Sequence, residues 1–294
     1  MTPGDPMTTS TLNGPRSPLP TPGCQRWSAG RQSFRPPGET IDPGRHEVAP
    51  IDEATAKKFV VTHHYSRSYP AARARFGLFR QNPGRPAELA GVCVFSVPMN
   101  QRAIPRHTGQ SPEQGCELGR FVLLDAVEAN GESWFLARCL RELPDLLPGV
   151  RAVISYADPM TRRAADGNLI TPGHIGTIYQ ALSAHYRGRS SRRTLWLAPD
   201  GTVLSGRMLS KLSGGERGAA HAYATLHGHG APARRPLEAD AAYLRRALIE
   251  GPFTRRAHPG NHVYTFAAGR PADRRKTRDT FPESLTYPKA LCEA

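Results

Sequence analysis

The stretch RAVISYADPMTRRAADGNLITPGHIGTIYQALSAHYRG, residues 151–188, decides the fold. It opens with an apolar run, Ala152–Ser155, that predicts a buried strand. Pro159 ends this strand, because proline cannot donate to the hydrogen-bond ladder. After a polar loop, apolar residues at helical spacing predict a helix from near His174 to Tyr186. The stretch is therefore a predicted strand–loop–helix unit.

Polar side chains stand where this strand ends. Tyr156 and Asp158 follow the apolar run, and the predicted helix carries His174 and Tyr179. In α/β enzymes, sites form at the carboxyl ends of strands that face a helix. The unit is therefore a candidate active site. The pattern leaves open an alternative, a core unit in which Asp158 only accepts hydrogen bonds from its own loop.

Proline and glycine mark the ends of the chain. The 294 residues include 28 Pro and 28 Gly, and the apolar fraction is only 38%. Because much of this excess lies near the termini, we predict a folded core with disordered ends. The expected divisions are a disordered arm at 1–46, a folded domain at 47–268 whose part at 206–268 is basic, and a disordered tail at 269–294.

The chain is strongly basic. Its formal net charge is +14, and arginine far outnumbers lysine. A basic chain favours a polyanionic partner, and arginine can bind phosphate or guanine with two hydrogen bonds. A polyanion, with phosphate backbones first, is therefore the favoured partner. The codon composition of a GC-rich genome is an alternative source of the arginine excess.

Cysteine usage and hydropathy predict a location in the cytoplasm. The five cysteines are scattered without a C-x-x-C pair, which argues against a disulfide framework. No apolar run approaches the ~18 residues of a membrane span, and no signal-peptide pattern is seen. We therefore expect a cytoplasmic protein without a membrane partner.

The remaining segments predict the elements around the central unit. A helix, a hairpin, a third strand and a second helix precede it, and two strands, a helix and a last strand follow it. The corresponding residues are 52–61, 74–80 with 89–97, 117–124, 133–143, 194–197 with 202–204, 243–249 and 262–266. This order predicts an α/β (α+β) fold with a mixed, mainly antiparallel central sheet flanked by helices.

That order resembles the GCN5-related N-acetyltransferase fold. In that family, the strand–loop–helix unit here at residues 117–143 carries the pyrophosphate of an acyl-CoA on N–H groups at the helix start. The resemblance implies acetyl-CoA or a related acyl donor, held by Asn130, Gly131 and Ser133. The loop departs from the family's basic, glycine-rich turn, because it has one glycine and two glutamates.

Four motifs point to one branch of that fold. HHYSR at 63–67, CELGRFVLLD at 116–125, SYADP at 155–159 and GHIGTIYQALSAHYRG at 173–188 resemble the phage Mom-type DNA modification proteins. By pattern, the resemblance covers about residues 51–268. It implies transfer of a carbamoylmethyl (acetamido) group to the exocyclic amine of adenine in duplex DNA. Such a mark protects phage or prophage DNA from restriction inside a bacterial host cell.

The chemistry implied by this resemblance assigns roles to four residues. The amine of adenine is a poor nucleophile, because its lone pair is delocalised into the ring, so a base has to take its proton. Asp158 is the predicted base, and Tyr179 is the predicted proton donor to the leaving group. Tyr65 and Ser66 are predicted to stack on or hydrogen-bond the adenine. The alternative roles of these side chains are capping, core packing and exposure on a surface loop.

Further residues are candidates for contacts with DNA and with a metal. The predicted DNA contacts come from basic and aromatic side chains, namely His64, Arg67, Tyr156, Arg187, Arg192, Arg193 and Arg207. His64 and His174 with Asp158 would supply the two-histidine, one-carboxylate set that suits Fe(II), although their spacing matches no metal motif.

Two other functions stay open from the sequence. One is acyl-CoA-dependent acetylation of a small amine or a protein by the same fold. The other is DNA binding by a basic protein without catalysis. An enzyme would be favoured if four side chains converge in one cleft, namely Tyr65, Asp158, His174 and Tyr179. The arginine-rich stretches 187–193 and 207–217 favour nucleic acid over a small molecule.

Overall fold

A computed structural model describes residues 40–289, so that 1–39 of the predicted arm and 290–294 of the predicted tail lie outside the described residues. The strands are β1 His46–Pro50, β2 Ala72–Asn82, β3 Arg85–Ser96, β4 Gly115–Leu123, β5 Ala152–Ala157, β6 Arg162–Arg163, β7 Leu169–Thr171, β8 His185–Arg189, β9 Arg193–Leu197, β10 Thr254–His258 and β11 His262–Ala267. The helices are α1 Glu53–His63, α2 Ala103–Thr108, α3 Gly131–Leu146, α4 Thr177–Ala181, α5 Gly206–Ser213, α6 Ala219–Gly228, α7 Asp240–Glu250 and α8 Pro271–Arg278. Within residues 40–289, no helix has the length and apolar character needed to cross a membrane.

Seven of these strands form one central sheet. Their order is β1-β2-β3-β4-β5-β11-β8. Neighbouring strands are antiparallel throughout, except that β4 and β5 run parallel. Helices lie on both faces of the sheet. The predicted α/β fold with a mixed, mainly antiparallel sheet is therefore confirmed.

The parallel pair at the centre of the sheet is short. β4 and β5 pair only between Gly115–Glu117 and Ala152–Ile154. Beyond this, β4 continues to Leu123 along β3, and β5 continues to Ala157 along β11. Because no backbone ladder joins the two strands after Glu117, the sheet opens there into a gap.

Alternate side chains of β3 enter two cores on opposite faces of the sheet. Phe95 belongs to the main core together with Phe135 of α3. Val94 packs in a second core together with Phe59 of α1. Successive residues of a strand point to opposite faces, so one strand supports a helix on each side. The gap between β4 and β5 therefore lies in a sheet that is packed against a core on both faces.

Three helices between β9 and β10 form a unit with a core of its own. Leu212 of α5, Leu226 of α6 and Tyr243 of α7 are buried together in it. This core is separate from the cores on the two faces of the sheet. The basic, glycine-rich segment after residue 206 is thus a small helical unit.

A two-stranded ribbon of β9 and β10 leads to this helical unit. Arg193 pairs with His258 at one end, and Leu197 pairs with Thr254 at the other. Residues 202–204 do return beside β9 as predicted, but they form only a single antiparallel bridge, between Leu197 and Val203, and the partner strand of β9 is β10. A local turn signal cannot reveal a partner strand that lies beyond three helices.

The predicted helix from His174 to Tyr186 is much shorter than expected. α4 covers only Thr177–Ala181, and Tyr186 lies in β8, where it pairs with Tyr264. Ser183, with a φ of 54°, takes the chain out of helical geometry. Over so few residues, apolar spacing does not distinguish a helix followed by a strand from one longer helix.

The C-terminal segment is folded as far as residue 289. After α8, Phe281 packs in a small core with Ala152 and Ala267. The prediction of a disordered tail at 269–294 was therefore wrong for residues 269–289. The polar composition of this segment concealed single apolar side chains that anchor it to the sheet.

The predicted arm is folded from residue 40 onwards. Ile41 is buried in the main core, and its N–H donates to the carbonyl of Ala129 over 2.9 Å. The prediction of disorder over residues 1–46 was therefore wrong for 40–46. One buried isoleucine in a proline- and glycine-rich context is too weak a signal for sequence analysis to find.

Candidate active site

A cavity of about 720 Å³, the cleft, occupies the gap between β4 and β5. Small-molecule sites have volumes in this range. Its walls come from parts of the chain that are distant in sequence. The polar side chains that line it include His64, Tyr65, Ser66, Glu117, Arg120, Glu132, Tyr156, Asp158, His174, Tyr179, Arg192, Arg193 and Asn261.

Most of the sequence-predicted residues meet in this cleft. The four predicted catalytic residues line it, namely Tyr65, Ser66, Asp158 and Tyr179. Five of the residues predicted to bind DNA or metal also line it, namely His64, Tyr156, His174, Arg192 and Arg193. The strand end and the helix start of the central unit therefore face each other as predicted.

Three arginines that were predicted to bind DNA do not line the cleft. Arg67 is exposed after α1, and Arg207 is exposed on α5. Arg187 donates a hydrogen bond to the carbonyl of Glu283 in the C-terminal segment. A run of arginines in a sequence does not show which of them share one face of the fold. Their contact with DNA stays a prediction.

Asp158 is held as an ionised carboxylate. Its Oδ1 accepts hydrogen bonds from the N–H of Met160 over 2.9 Å and from Nε2 of His258 over 3.0 Å. Nη2 of Arg162 lies 3.7 Å from its Oδ2. Burial raises the pKa of Asp158, but these donors and the charge of Arg162 outweigh burial and leave the pKa below its ordinary value. A carboxylate stabilised in this way is a weak base.

The environment of Glu117 is opposite to that of Asp158, and Glu117 was not identified as a site residue from the sequence. It is the last residue of β4 that pairs with β5, and its side chain lines the cleft. Burial raises its pKa to about 7, and a backbone hydrogen bond at Met99 and the charge of Arg120 offset burial only in part. A carboxyl group with such a pKa can take and release a proton near neutral pH. The signal for Glu117 in the sequence was a charged residue inside an apolar strand pattern.

Tyr179 presents a protonated phenol to the cleft. Burial raises its pKa, and the nearby hydroxyl of Ser155 offsets burial only in part. Gly176 places the ring, because a Cβ there would lie 2.6 Å from the ring of Tyr264 and 2.8 Å from that of Tyr179. Only glycine therefore lets the chain bring Tyr179 this close to β11. Its hydroxyl is a candidate proton donor.

His64 is committed to Ser66. Its Nδ1 lies 3.1 Å from the backbone N–H of Ser66 and 2.8 Å from Oγ of Ser66. Because a backbone N–H can only donate, Nδ1 is an acceptor, and the proton of the neutral ring is on Nε2. Burial lowers the pKa of His64 well below its ordinary value, which keeps the ring neutral. Its hydrogen bonds thus fix one tautomer.

That tautomer opposes the predicted Fe(II) site. A metal ligand at Nε2 of His64 would need its proton on Nδ1, where Ser66 donates. Both oxygens of Asp158 already face donors or a cation. Within residues 40–289, no three His, Cys, Asp or Glu side chains are grouped to hold a metal ion. The predicted set of His64, His174 and Asp158 therefore does not form in this structure.

Tyr65 is held between two neighbours at the mouth of the cleft. Its ring stacks on that of His64, with centroids 4.3 Å apart and an interplanar angle of 30°. The guanidinium of Arg162 lies 5.7 Å from the centre of the same ring. A cation over an aromatic face stabilises the contact. The position of Tyr65 therefore depends on Arg162, which in turn faces Asp158.

The start of α3 does not fit the diphosphate of a CoA. Asn130, Gly131 and Ser133 do form this helix start, as the resemblance implied. However, Glu132 lines the cleft there and is only 8% exposed, and Glu128 lies 3.4 Å from His46. Carboxylates at a helix start occupy the positive end of the helix dipole, where a phosphate would otherwise bind. Their negative charges also repel the phosphate.

The fold and the cleft define the class of protein. They define an α/β protein whose mixed, mainly antiparallel sheet opens between its two parallel central strands. The model of the Mom protein family matches residues 45–231, which is more than half of the chain. The chain belongs to the Mom protein family. The resemblance inferred from the four motifs is thus confirmed.

Comparison with solved structures gives a distant match. A chain described as a "Tandem GNAT protein from the clavulanic acid biosynthesis pathway (without AcCoA)" is 11% identical, with a TM-score of 0.38. The match covers 76% of this chain and 99% of that chain. A likeness at this level supports no conclusion about this chain. No curated protein matches it.

Coenzyme A is expected to bind weakly, and removal of one carboxylate should tighten its binding. Glu132→Gln removes a negative charge that opposes the diphosphate. The Kd for CoA should fall about fivefold at low salt, as expected for ~1 kcal/mol of charge repulsion, and less at high salt. Titration calorimetry measures this change.

The matched control for this experiment is Glu113→Gln, an exposed carboxylate just before β4 that does not line the cleft. It should leave the Kd unchanged. The contradicting result would be tight binding of CoA by the unmodified protein together with weaker binding by Glu132→Gln. It would show that the helix start accepts the diphosphate.

Proposed function

We propose that this protein adds a carbamoylmethyl (acetamido) group to the exocyclic amine of adenine in duplex DNA. Membership of the Mom protein family supports the substrate and the reaction. The observation that carries the proposal is the pair of ionisable groups on the cleft walls. Glu117 has a pKa of about 7, and Tyr179 has a pKa above its ordinary value. Groups tuned to opposite tasks in one cleft are typical of acid–base catalysis.

In this proposal, Glu117 is the general base. The amine of adenine becomes nucleophilic as its proton leaves, and a carboxyl group with a pKa near 7 can accept that proton at neutral pH. Sequence analysis assigned this role to Asp158, whose pKa is lowered instead. Asp158 remains an ionised acceptor that can orient the amine through a hydrogen bond. Tyr179 supplies a proton to the group that leaves the donor.

The proposed reaction needs a donor molecule that supplies the carbamoylmethyl group. Acetyl-CoA or a related acyl donor was predicted from the fold resemblance, but the carboxylates at the start of α3 disfavour its diphosphate. The roles of Glu117, Asp158 and Tyr179 concern the amine and the leaving group, and they hold for any donor that releases a group able to accept a proton.

Duplex DNA must present its adenine outside the helix. The amine is paired inside the duplex, so the base has to be extruded, at a cost of a few kcal/mol. Arg192 and Arg193, exposed at the mouth of the cleft, can offset this cost through phosphate contacts. The stacked rings of His64 and Tyr65 line the same cleft, and the edge of the Tyr65 ring with its hydroxyl can contact a flipped base.

Mass spectrometry of nucleosides tests the reaction. DNA from cells that express the protein should contain a deoxyadenosine derivative heavier by one carbamoylmethyl group, and it should resist restriction endonucleases. An acetylated amine or protein without altered DNA would support an acetyltransferase instead. Ordinary nucleosides, despite soluble protein that binds duplex DNA, would support DNA binding without catalysis.

The rate of modification should depend on the ionisation of Glu117. Because burial raises its pKa to about 7, the carboxyl is protonated below that pH and cannot act as a base. The rate should therefore increase as the pH rises through about 7. Glu117→Gln should lower the rate about 10²- to 10⁴-fold and remove this dependence.

The control for this substitution is again the exposed Glu113→Gln, which should keep both the rate and the pH profile. Duplex affinity serves as a check that Glu117→Gln is folded. A Glu117→Gln protein that modifies DNA at the unmodified rate would refute the assignment of the base.

Binding to duplex DNA should weaken with salt. The slope of log affinity against log salt is about −0.9 per phosphate neutralised, so replacing Arg192 and Arg193 with alanine should reduce it by about two. Arg275 and Lys276 are exposed on α8, which follows the end of β11 remote from the cleft residue Asn261. Their double alanine variant should keep the original slope. An unchanged slope in the first variant would place DNA elsewhere on the protein.

A further inference from the structure

A buried histidine contacts the cleft residue Asp158 from a part of the chain that the family match does not include. His258 ends β10, after the three-helix unit, and lies outside the matched residues 45–231. It is 1% exposed, and its Nε2 lies 3.0 Å from Oδ1 of Asp158. Its Nδ1 lies 3.0 Å from the backbone N–H of Gly260. Both ring nitrogens are therefore engaged.

These two contacts define the chemical state of the ring. The N–H of Gly260 can only donate, so Nδ1 of His258 is an acceptor and carries no proton. The single proton of the neutral ring is then on Nε2, which donates it to Asp158. A doubly protonated ring would lose the contact with Gly260. His258 thus donates its Nε2–H to Asp158, and the carboxylate keeps its negative charge.

The backbone around Gly260 permits no other residue in that place. Its φ is +94°, and a Cβ would lie 1.9 Å from the carbonyl oxygen of Ser190. Ser190 donates its N–H to the carbonyl of Asn261 over 2.8 Å, and its Oγ accepts from the N–H of Asn261 over 2.9 Å. The turn that presents His258 is therefore fixed to the end of β8. Ser190 and Asn261 both line the cleft.

A chain of polar contacts leads from this histidine to the mouth of the cleft. His258 contacts Oδ1 of Asp158, and Arg162 faces Oδ2 at 3.7 Å. The guanidinium of Arg162 in turn lies over the ring of Tyr65. The orientation of the carboxylate therefore sets the place of the arginine on which Tyr65 rests. Loss of the hydrogen-bond donor His258 is therefore expected to disturb the position of Tyr65.

We propose that His258 is a positioning residue for the transfer reaction, and that it acts by orienting Asp158 through the Nε2–H hydrogen bond. The inference rests on the proposed function, in which Asp158 orients the adenine amine. It assigns a task to the end of the β9–β10 ribbon where His258 pairs with Arg193, opposite the end to which the three-helix unit is attached. A purely structural histidine would instead stabilise the turn without acting through Asp158.

The first test observes the contact without any activity. In the intact protein, ¹⁵N NMR of His258 should show a protonated Nε2 and an unprotonated Nδ1. In a ¹³C NMR titration, His258→Ala should raise the pKa of the Asp158 carboxyl, because a donor to its charged form is lost. His258→Gln, whose amide can still donate, should keep that pKa closer to the original. The opposite tautomer, or an unchanged Asp158 in His258→Ala, would overturn the inference.

The second test measures modification of duplex DNA by a double-mutant cycle. His258→Ala should lower kcat by up to about 100-fold, and His258→Gln should recover part of this loss. In an Asp158→Asn background, His258→Ala should have little further effect, because the residue it acts through is already changed. His221→Ala, an exposed histidine on α6, is the matched control and should keep the original kcat.

The two tests separate the inference from the proposed function. If the losses from His258→Ala and Asp158→Asn multiply in full, His258 acts independently of Asp158, and the inference is refuted. If the NMR contact is present but no DNA is modified by the intact protein, the proposed reaction fails, and the positioning role fails with it. A variant that does not fold leaves the NMR observation on the intact protein and the His258→Gln variant to decide.

Discussion

The site depends on where the ladder between β4 and β5 stops. Three residues of each strand pair, and the strands then follow different neighbours. A longer parallel ladder would close the sheet and fill the gap with core side chains. Instead, Glu117 stands at the last paired position, with a carboxyl group in a partly buried place and few donors to stabilise its charge. The same break in hydrogen bonding thus creates both the cavity and the raised pKa.

The cleft treats two of its three carboxyl groups, those of Asp158 and Glu117, in opposite ways. Asp158 receives a backbone N–H, an imidazole N–H and a nearby guanidinium, which outweigh the effect of burial. Glu117 receives only a backbone hydrogen bond at Met99 and the nearby charge of Arg120, and these do not outweigh its burial. Environments that push the pKa values of neighbouring acids apart divide the work of a site between a charged partner and a proton acceptor. The cost of keeping Asp158 ionised is met by hydrogen bonds that also determine its orientation.

Sequence analysis predicted what depends on local pattern and missed what depends on distant pairing. The sheet, Asp158 at the end of β5 and Tyr179 on α4 were predicted, because strand ends and helix starts are visible in short windows. Glu117 lies inside a quoted motif, but its role follows from the place where a neighbouring strand departs. His258 is separated from Asp158 by the whole three-helix unit. No local spacing could have joined those two residues.

The account is tested most directly by the ionisation of one side chain. A ¹³C NMR titration of the Glu117 carboxyl in the folded protein should give a midpoint of about 7, well above the ordinary value of 4.5. Such a result would show that the gap between the two strands holds a proton acceptor suited to neutral pH. A midpoint near 4.5 would mean that the cleft does not bury this acid, and that the base has to be sought elsewhere.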